Sequence, residues 1–211
     1  MNHKKVAYKN QAETIIKNLE KRNMDGYYCS DSKEAVELVL DLLEDGAAVS
    51  FGGSETLKET GMLKALKEGS FTVIDRDTAK TLEEKKEIYK QSVCSDYFFM
   101  STNAITLDGE LINIDGSGNR VACLIHGPEN VIILAGMNKV TSDTLSSIDR
   151  VRNFASPPNA VRLDTDTPCK FTGSCKNCLS PDCMCSHIVI TRRSKIPGRI
   201  KVILIGEELG Y

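Results

Sequence analysis

Between residues 5 and 93 the hydrophobic pattern alternates between two kinds of segment. Amphipathic stretches, with apolar residues every three or four positions, alternate with short runs of consecutive apolar residues. The first kind predicts helices, the second predicts buried strands, and their alternation is typical of an α/β fold with a mainly parallel sheet covered by helices. The predicted helices cover 5–22, 32–43 and 82–93, with another opening in the turn 52–56, and the predicted strands cover 26–29, 47–51 and 71–74.

The pattern changes after residue 96. Four apolar runs follow one another, and the turn sequences between them, such as Asp108-Gly109, are too short to contain helices. We therefore expect an antiparallel section of hairpin-linked strands beside the parallel sheet. Its predicted strands cover 97–105, 110–114, 120–125 and 130–134, followed by a helix over 142–152, a loop over 156–168 and closing strands over 188–190 and 202–206.

Charge and composition narrow the classes of partner. The chain carries 27 Lys and Arg against 29 Asp and Glu, a formal net charge of -2, with no long run of one sign. This balance argues against nucleic acid or an anionic membrane surface as a partner. The first 23 residues are polar with apolar positions at helical spacing, unlike a signal peptide or a spanning helix. We expect a cytoplasmic protein without membrane insertion, and its length suits one α/β domain over 1–211.

Five of the eight cysteines lie between residues 169 and 185. Clustered thiols in a reducing compartment usually serve metal or redox chemistry rather than structural disulfides. The two-residue gap in Cys175-Lys176-Asn177-Cys178 lets two thiolates face one metal ion. We predict a metal-binding segment over 169–187, here called the cysteine segment. Its predicted ligands are Cys169, Cys175 and Cys178, with the fourth supplied by Cys183 or Cys185.

The spacing leaves the cofactor open among three alternatives. Four thiolates hold tetrahedral zinc in structural sites, where metal binding also folds the surrounding loop. Four thiolates also hold a four-iron iron–sulfur cluster, and the spacings of such ligands vary widely between families. The third alternative is a metal-free redox or disulfide pair among the five cysteines.

A glycine-containing turn connects the predicted strand 47–51 to the next helix. In Gly52-Gly53-Ser54-Glu55-Thr56, backbone N–H groups and the positive end of the helix are suited to a phosphate or carboxylate. A tight turn capped by Ser54 explains the same residues without a ligand. The turn matches neither the dinucleotide-binding fingerprint nor the phosphate-binding loop of NTPases.

A second group of polar residues lies at the predicted strand ends of the hairpin section. Turns account for the glycines there, but not for the amide and cationic side chains. Ligands of open α/β sheets bind at strand ends, and Lys139 has the charge that a small anionic metabolite needs. With the glycine turn, the predicted substrate-binding residues are Gly52, Gly53, Ser54, Glu55, Thr56, Asn103, Asn119, Arg120, Asn138 and Lys139.

The motifs in four segments, 51–61, 101–109, 119–122 and 135–140, are informative in combination. Together they resemble the lactate utilization domain family, over nearly the whole chain. The resemblance implies a fold like that of sugar-phosphate isomerases and coenzyme A transferases, with a cleft at the strand ends. It also implies a role in oxidising L-lactate to pyruvate beside iron–sulfur partner proteins. The cysteine-rich tail lies outside the minimal domain and resembles the tail of a clostridial-type branch.

Three hypotheses about function follow. The first is a component of L-lactate or related 2-hydroxyacid utilization, whose iron–sulfur cluster exchanges single electrons with a partner protein. The second is a transferase or isomerase that binds an anionic metabolite, with structural zinc and Glu55 as the only nucleophile that a motif places. The third is a non-catalytic module that senses metal or redox state. The sequence leaves open whether the protein is an enzyme.

Overall fold

The predicted parallel sheet and a second, smaller sheet are both present in the computed structural model, which describes residues 2–211. None of the helices among these residues is both long enough and apolar enough to cross a bilayer. The helices are α1 (His3–Glu20), α2 (Ser32–Asp41), α3 (Glu55–Glu59), α4 (Met62–Glu68), α5 (Leu82–Val93), α6 (Asn119–Ile125), α7 (Thr144–Arg150), α8 (Ser156–Arg162) and α9 (Pro168–Thr172). The strands are β1 (Asp25–Cys29), β2 (Ala48–Phe51), β3 (Thr72–Ile74), β4 (Tyr97–Met100), β5 (Ala104–Thr106), β6 (Leu111–Asp115), β7 (Asn130–Gly136), β8 (Val140–Thr141), β9 (His187–Thr191) and β10 (Ile200–Ile205).

The first sheet has six parallel strands in the order β1-β10-β7-β4-β2-β3. Helices α1 and α6 pack on one face through residues such as Ile15 and Leu124. Helices α2 to α4 pack on the other face through Val39, Leu57 and Leu66. Because both faces are covered, the central strands β7 and β10 are apolar almost throughout. This sheet confirms the predicted α/β fold.

The second sheet continues directly from the carboxyl end of β4. The chain leaves the first sheet at Met100 and enters β5 at Ala104. The sheet order is β8-β5-β6-β9, with antiparallel β5-β6 and β6-β9 pairs and a parallel β5-β8 pair. Its inner face packs on a π-helical turn, Val151–Ala155, between α7 and α8. The two sheets therefore meet where the strands of the first one end.

The predicted run of hairpins is wrong in two respects. The segment 97–105 forms two strands in different sheets, and β4 and β7 are parallel neighbours rather than a hairpin. The predicted strand 120–125 is helix α6, whose buried residues Val121 and Leu124 are three positions apart, a helical spacing. Gly118, in the left-handed conformation with a φ of 82°, turns the chain into this helix. Only β5 and β6 form the expected hairpin.

The predicted loop 156–168 is also wrong, because its first half is helix α8. Two consecutive prolines argued against a helix in the sequence. Pro157 and Pro158 lie in the first turn, where backbone N–H groups have no partner within the helix, so proline is tolerated. The preceding π-helical turn brings the chain into α8 without a break.

A buried arginine fixes the loop between α6 and β7. The Arg199 side chain donates hydrogen bonds to three backbone carbonyl oxygens, those of Cys123 (2.9 Å), Leu124 (2.7 Å) and Pro128 (3.0 Å). The Cys123 and Leu124 oxygens belong to the last turn of α6, where helical carbonyls lack partners within the helix, and the Pro128 oxygen follows that turn. One guanidinium therefore satisfies three acceptors and holds the start of β7 against β10.

We predict that Arg199→Lys lowers the free energy of unfolding by about 3 kcal/mol, since an ammonium cannot replace the fork of donors to buried carbonyls. Urea denaturation followed by circular dichroism measures the change. Arg193→Lys, at an exposed position six residues earlier, is the matched control and should leave stability within about 0.5 kcal/mol of wild type. Equal stability of the two variants would contradict the role given to Arg199.

Candidate functional site

A cleft of about 460 Å³ opens where the two sheets meet. We call it the strand-end cleft. The turn after β2, the segment after β4 and Lys139 after β7 form one side, all at carboxyl ends of parallel strands. The end of β6, the start of α6, the π-helical turn and α8 form the other. Ligands of open α/β sheets bind at this position, and the volume suits a small metabolite.

Nine of the ten predicted substrate-binding residues line this cleft. The exception is Asn138, whose side chain accepts the Leu209 N–H (3.1 Å) and donates to the Leu209 carbonyl (3.4 Å). Asn138 therefore fixes the chain after β10 rather than facing the cleft. The nine lining residues are Gly52, Gly53, Ser54, Glu55, Thr56, Asn103, Asn119, Arg120 and Lys139.

The glycine turn shapes the cleft mainly through steric fit. The N–H of Gly52 donates to the carbonyl of Phe99 (2.9 Å), and a Cβ on Gly52 would lie 3.3 Å from Arg120 Cδ. Ser54 caps α3 by accepting the Leu57 N–H (3.3 Å). Since α3 is a single turn of five residues, its dipole is small, and side chains supply the main positive charge of the cleft.

Lys139 is the most unusual group in the strand-end cleft. It is 3 % exposed, and its Nζ donates to Thr56 Oγ1 (2.9 Å) and Ser101 Oγ (3.0 Å). Burial lowers the pKa of Lys139 to about 7, helped by the positive charges of Arg150 and Arg120 and opposed by Glu59. Near neutral pH this amine exists in both protonation states, which suits proton transfer or nucleophilic attack.

Arg120 organises the floor of the cleft. Its guanidinium donates to the carbonyls of Ser101 (3.1 Å) and Ile114 (3.0 Å). It also donates to the side-chain oxygens of Asn103 (2.9 Å) and Asn113 (2.6 Å). The buried Nδ2 of Asn113 has no hydrogen-bond partner within the described chain, which is destabilising. The hydrogen bond from Arg120 to the Asn113 oxygen offsets this loss. Both terminal nitrogens of Arg120 are thus committed to protein acceptors, so it positions other groups rather than binding ligand.

Arg150 has a similar role and was not identified in the sequence. Its side chain donates to the backbone carbonyls of Asn138 (2.9 Å) and Asn103 (2.9 Å), tying the end of α7 to two strand ends. Burial lowers its pKa, but it stays charged near neutrality. The sequence gives no signal for this residue, because it lies in a helix with many polar positions.

Cationic side chains outnumber anionic ones along the cleft. The Glu55 carboxylate accepts a hydrogen bond from Lys58 Nζ (3.0 Å) and forms an ion pair with Arg162 Nη1 (3.4 Å). This pairing makes Glu55 a poor nucleophile and disfavours the transferase hypothesis. The lining cations are Lys58, Arg76, Arg120, Lys139 and Arg162, against the carboxylates of Glu55, Asp77 and Asp115.

The cysteine segment does not assemble a metal site in the described arrangement. Among residues 2–211 no group of three or more His, Cys, Asp or Glu side chains is arranged to hold a metal ion. Cys178 and Cys183 contact each other, and hydrogen bonds from Ser180 lower the pKa of the Cys178 thiol. Cys169 lies on α9, and the Cys175 N–H donates to Asn153 (3.2 Å). The thiol chemistry suits zinc or an iron–sulfur cluster, but the geometry requires rearrangement.

The cysteine segment forms one wall of the strand-end cleft. Met184 and Cys185 line the cleft, and Cys185 Sγ lies 3.5 Å from the hydroxyl of Ser156 on α8. The Ser186 N–H donates to the carbonyl of Asp115, at the end of β6 (3.1 Å). The two sites predicted separately from the sequence are therefore neighbours.

The fold and the cleft place the chain among α/β proteins that have a cleft at the carboxyl ends of a parallel sheet. Residues 12–205 match the family model described as "LUD domain", and the chain belongs to this lactate utilization domain family. No curated protein matches the chain.

Two solved structures are similar. The crystal structure of a DUF162 family protein from Deinococcus radiodurans has a TM-score of 0.52 and 12 % identity over 95 % of this chain and 98 % of that one. At this identity, the likeness shows only that the two proteins share a fold. The structure of eIF2B delta from Chaetomium thermophilum has a TM-score of 0.36 and 21 % identity over 52 % of this chain and 48 % of that one.

We predict that stability depends on pH through Lys139. The amine has a pKa of about 7 in the folded protein and 10.5 as its ordinary value, so the unfolded chain binds more protons between these limits. Stability relative to Lys139→Met should therefore rise with pH, by a total on the order of 3 kcal/mol between about pH 6.5 and 9.5. Urea denaturation at each pH measures this difference, in which the titrations of other groups cancel.

The control for this measurement is Lys58→Met. Lys58 lines the same cleft, but its side chain is 54 % exposed. The stability difference between Lys58→Met and wild type gives the effect of removing an exposed lysine from the same cleft. A constant stability difference between Lys139→Met and wild type over this pH range would show that the surroundings of Lys139 do not lower its pKa.

Proposed function

We propose that the strand-end cleft binds a small 2-hydroxy- or 2-oxocarboxylate, and that the protein is a cytoplasmic component of the utilization of L-lactate or a related 2-hydroxyacid. The observation that carries the proposal is Lys139, a buried amine on the floor of a cleft with a predominantly cationic lining. Membership of the lactate utilization domain family supports the choice of hydroxyacid.

The chemistry of such a ligand matches the two features of the cleft. Its carboxylate is favoured by the excess of cationic over anionic side chains in the lining. Its C2 oxygen is suited to Lys139, because a neutral amine accepts the proton of a hydroxyl and an ammonium donates to a carbonyl oxygen. The Thr56 and Ser101 hydroxyls hold Nζ in place for either role.

A second proposal concerns the cysteine segment. We propose that Cys169, Cys175 and Cys178, with Cys183 or Cys185, hold an iron–sulfur cluster, with zinc as the alternative. Soft thiolate donors support this assignment. Since the described arrangement does not bring the ligands together, metal binding must refold the segment. A bound cluster would supply one-electron transfer with iron–sulfur partner proteins, whereas zinc would be structural.

We predict that L-lactate and pyruvate bind at least tenfold more weakly to Lys139→Met than to wild type, as expected when a buried charged hydrogen bond is lost. Isothermal titration calorimetry measures both affinities. Because a bound anion favours protonated Lys139, binding near pH 8 should also take up protons, seen as a dependence of the heat on the buffer. Lys58→Met is the control and should change affinity less than Lys139→Met does.

Inorganic phosphate and coenzyme A are titrated in the same experiment. Equally weak binding of every anion to wild type and Lys139→Met would contradict the proposed ligand site. Tight binding of coenzyme A alone would favour the transferase hypothesis instead.

We predict that anaerobically purified protein contains iron and sulfide, and that a Cys175→Ser, Cys178→Ser double variant loses the metal while the parallel sheet stays folded. The cysteine segment adds little to the cores on either face of the first sheet. Elemental analysis, the absorption spectrum and far-ultraviolet circular dichroism measure these outcomes. Cys29→Ser is the matched control, because Cys29 is buried in the core and should not affect metal content. Full metal content in the double variant would contradict the ligand assignment.

A further inference from the structure

We propose that Lys139 is a nucleophile as well as a binding residue: its amine condenses with the C2 carbonyl of a 2-oxocarboxylate in the strand-end cleft and forms an imine. This inference rests on the proposed function, because it requires a carbonyl acid in the cleft. It goes further by assigning a covalent reaction to Lys139. It also predicts that 2-oxo acids react with the amine and that 2-hydroxy acids do not.

The surroundings of Nζ suit a nucleophilic amine. Its hydrogen-bond partners are two hydroxyls, those of Thr56 and Ser101, and no carboxylate among residues 2–211 forms an ion pair with it. Lys58, in the same cleft, provides the contrast, since its Nζ lies 3.0 Å from Glu55 Oε1 and its side chain is half exposed. An ammonium held by a carboxylate in water is a poor nucleophile, whereas a desolvated amine beside other cations is an activated one.

Fixed charges around Lys139 favour the neutral amine. Arg150 and Arg120 contribute positive charge, and Glu59 is the opposing carboxylate, whose Oε2 accepts the Gly210 N–H at 2.6 Å. Burial acts in the same direction as the two arginines, so the pKa of Lys139 falls to about 7. Because Arg120 and Arg150 are held by backbone and amide oxygens, their charges stay in place during a reaction.

The reaction balances without an oxidant or reductant. The nitrogen lone pair attacks C2, the C=O π electrons move to oxygen, and a proton passes from nitrogen to that oxygen to give a carbinolamine. Loss of its hydroxyl as water then forms the C=N bond. The Thr56 and Ser101 hydroxyls, 2.9 and 3.0 Å from Nζ, are placed to relay the proton. A 2-hydroxycarboxylate has no carbonyl at C2, so it binds without forming a bond.

Reductive trapping tests this inference on the whole chain. Wild type, Lys139→Met and Lys64→Met, which removes an exposed lysine outside the cleft, are each incubated with pyruvate and sodium borohydride, and the intact mass and the modified peptide are determined by mass spectrometry. L-Lactate with borohydride is the ligand control. We expect about one reduced pyruvyl group per chain in wild type and in Lys64→Met, located at Lys139, and a loss of roughly tenfold or more in Lys139→Met.

Peptide mapping of wild type keeps the test decisive even if Lys139→Met is unstable, because the position of the adduct needs no variant. An adduct at other lysines only, or none in wild type, would overturn the inference. Calorimetry on the same samples separates the two proposals. If pyruvate binds but forms no adduct at Lys139, the imine proposal is wrong and the proposed function stands. If pyruvate neither binds nor forms an adduct, both proposals are wrong.

Discussion

The guanidinium of Arg120 joins the two sheets at the point where the strand-end cleft forms. It donates hydrogen bonds to the Ser101 carbonyl and the Asn103 side-chain oxygen, in the connection between the sheets, and to the Asn113 side-chain oxygen on β6 of the second sheet. A buried guanidinium is tolerated only when its donors are paired, so the two sheet ends must adopt one relative position. Gly52 allows this by leaving room for the arginine side chain. The Ser101 hydroxyl that holds Lys139 is positioned by the same network.

Arg120 and Arg150 supply charge to the cleft without acting as ligands. Their donors are engaged by protein oxygens, yet both lower the pKa of Lys139. Asp115 Oδ2, 3.8 Å from Arg120 Nε, offsets part of this charge, whereas the partners of Arg150 are backbone carbonyls. If a carboxylate binds in the cleft as proposed, it would raise the pKa of Lys139, so anion binding and the protonation of Lys139 would be coupled.

The sequence predicts the apolar strands of the parallel sheet and the helices that cover it, because the strands are continuous apolar runs and the helices have regular apolar spacing, but it assigns β4 and β7 to the antiparallel section. It fails over 120–125, where Val121 and Leu124 suit a helix but the run is short enough for a strand. The residues lining the cleft were largely predictable, since strand ends collect at one edge of a sheet. The role of Arg150 was not, because its partners are backbone carbonyls that residue types do not reveal. Nor does cysteine spacing fix three-dimensional distances, as the separated thiols show.

Strand order has a consequence for how the chain folds during synthesis. β10 lies between β1 and β7, so β1 has no neighbour in the sheet until the region near residue 205 has emerged from the ribosome. The cysteine segment emerges before β10, so its thiols are exposed to metal and oxidants while the sheet is incomplete. The unpaired strand β1 and the thiols of the cysteine segment are therefore both exposed during the same interval of synthesis.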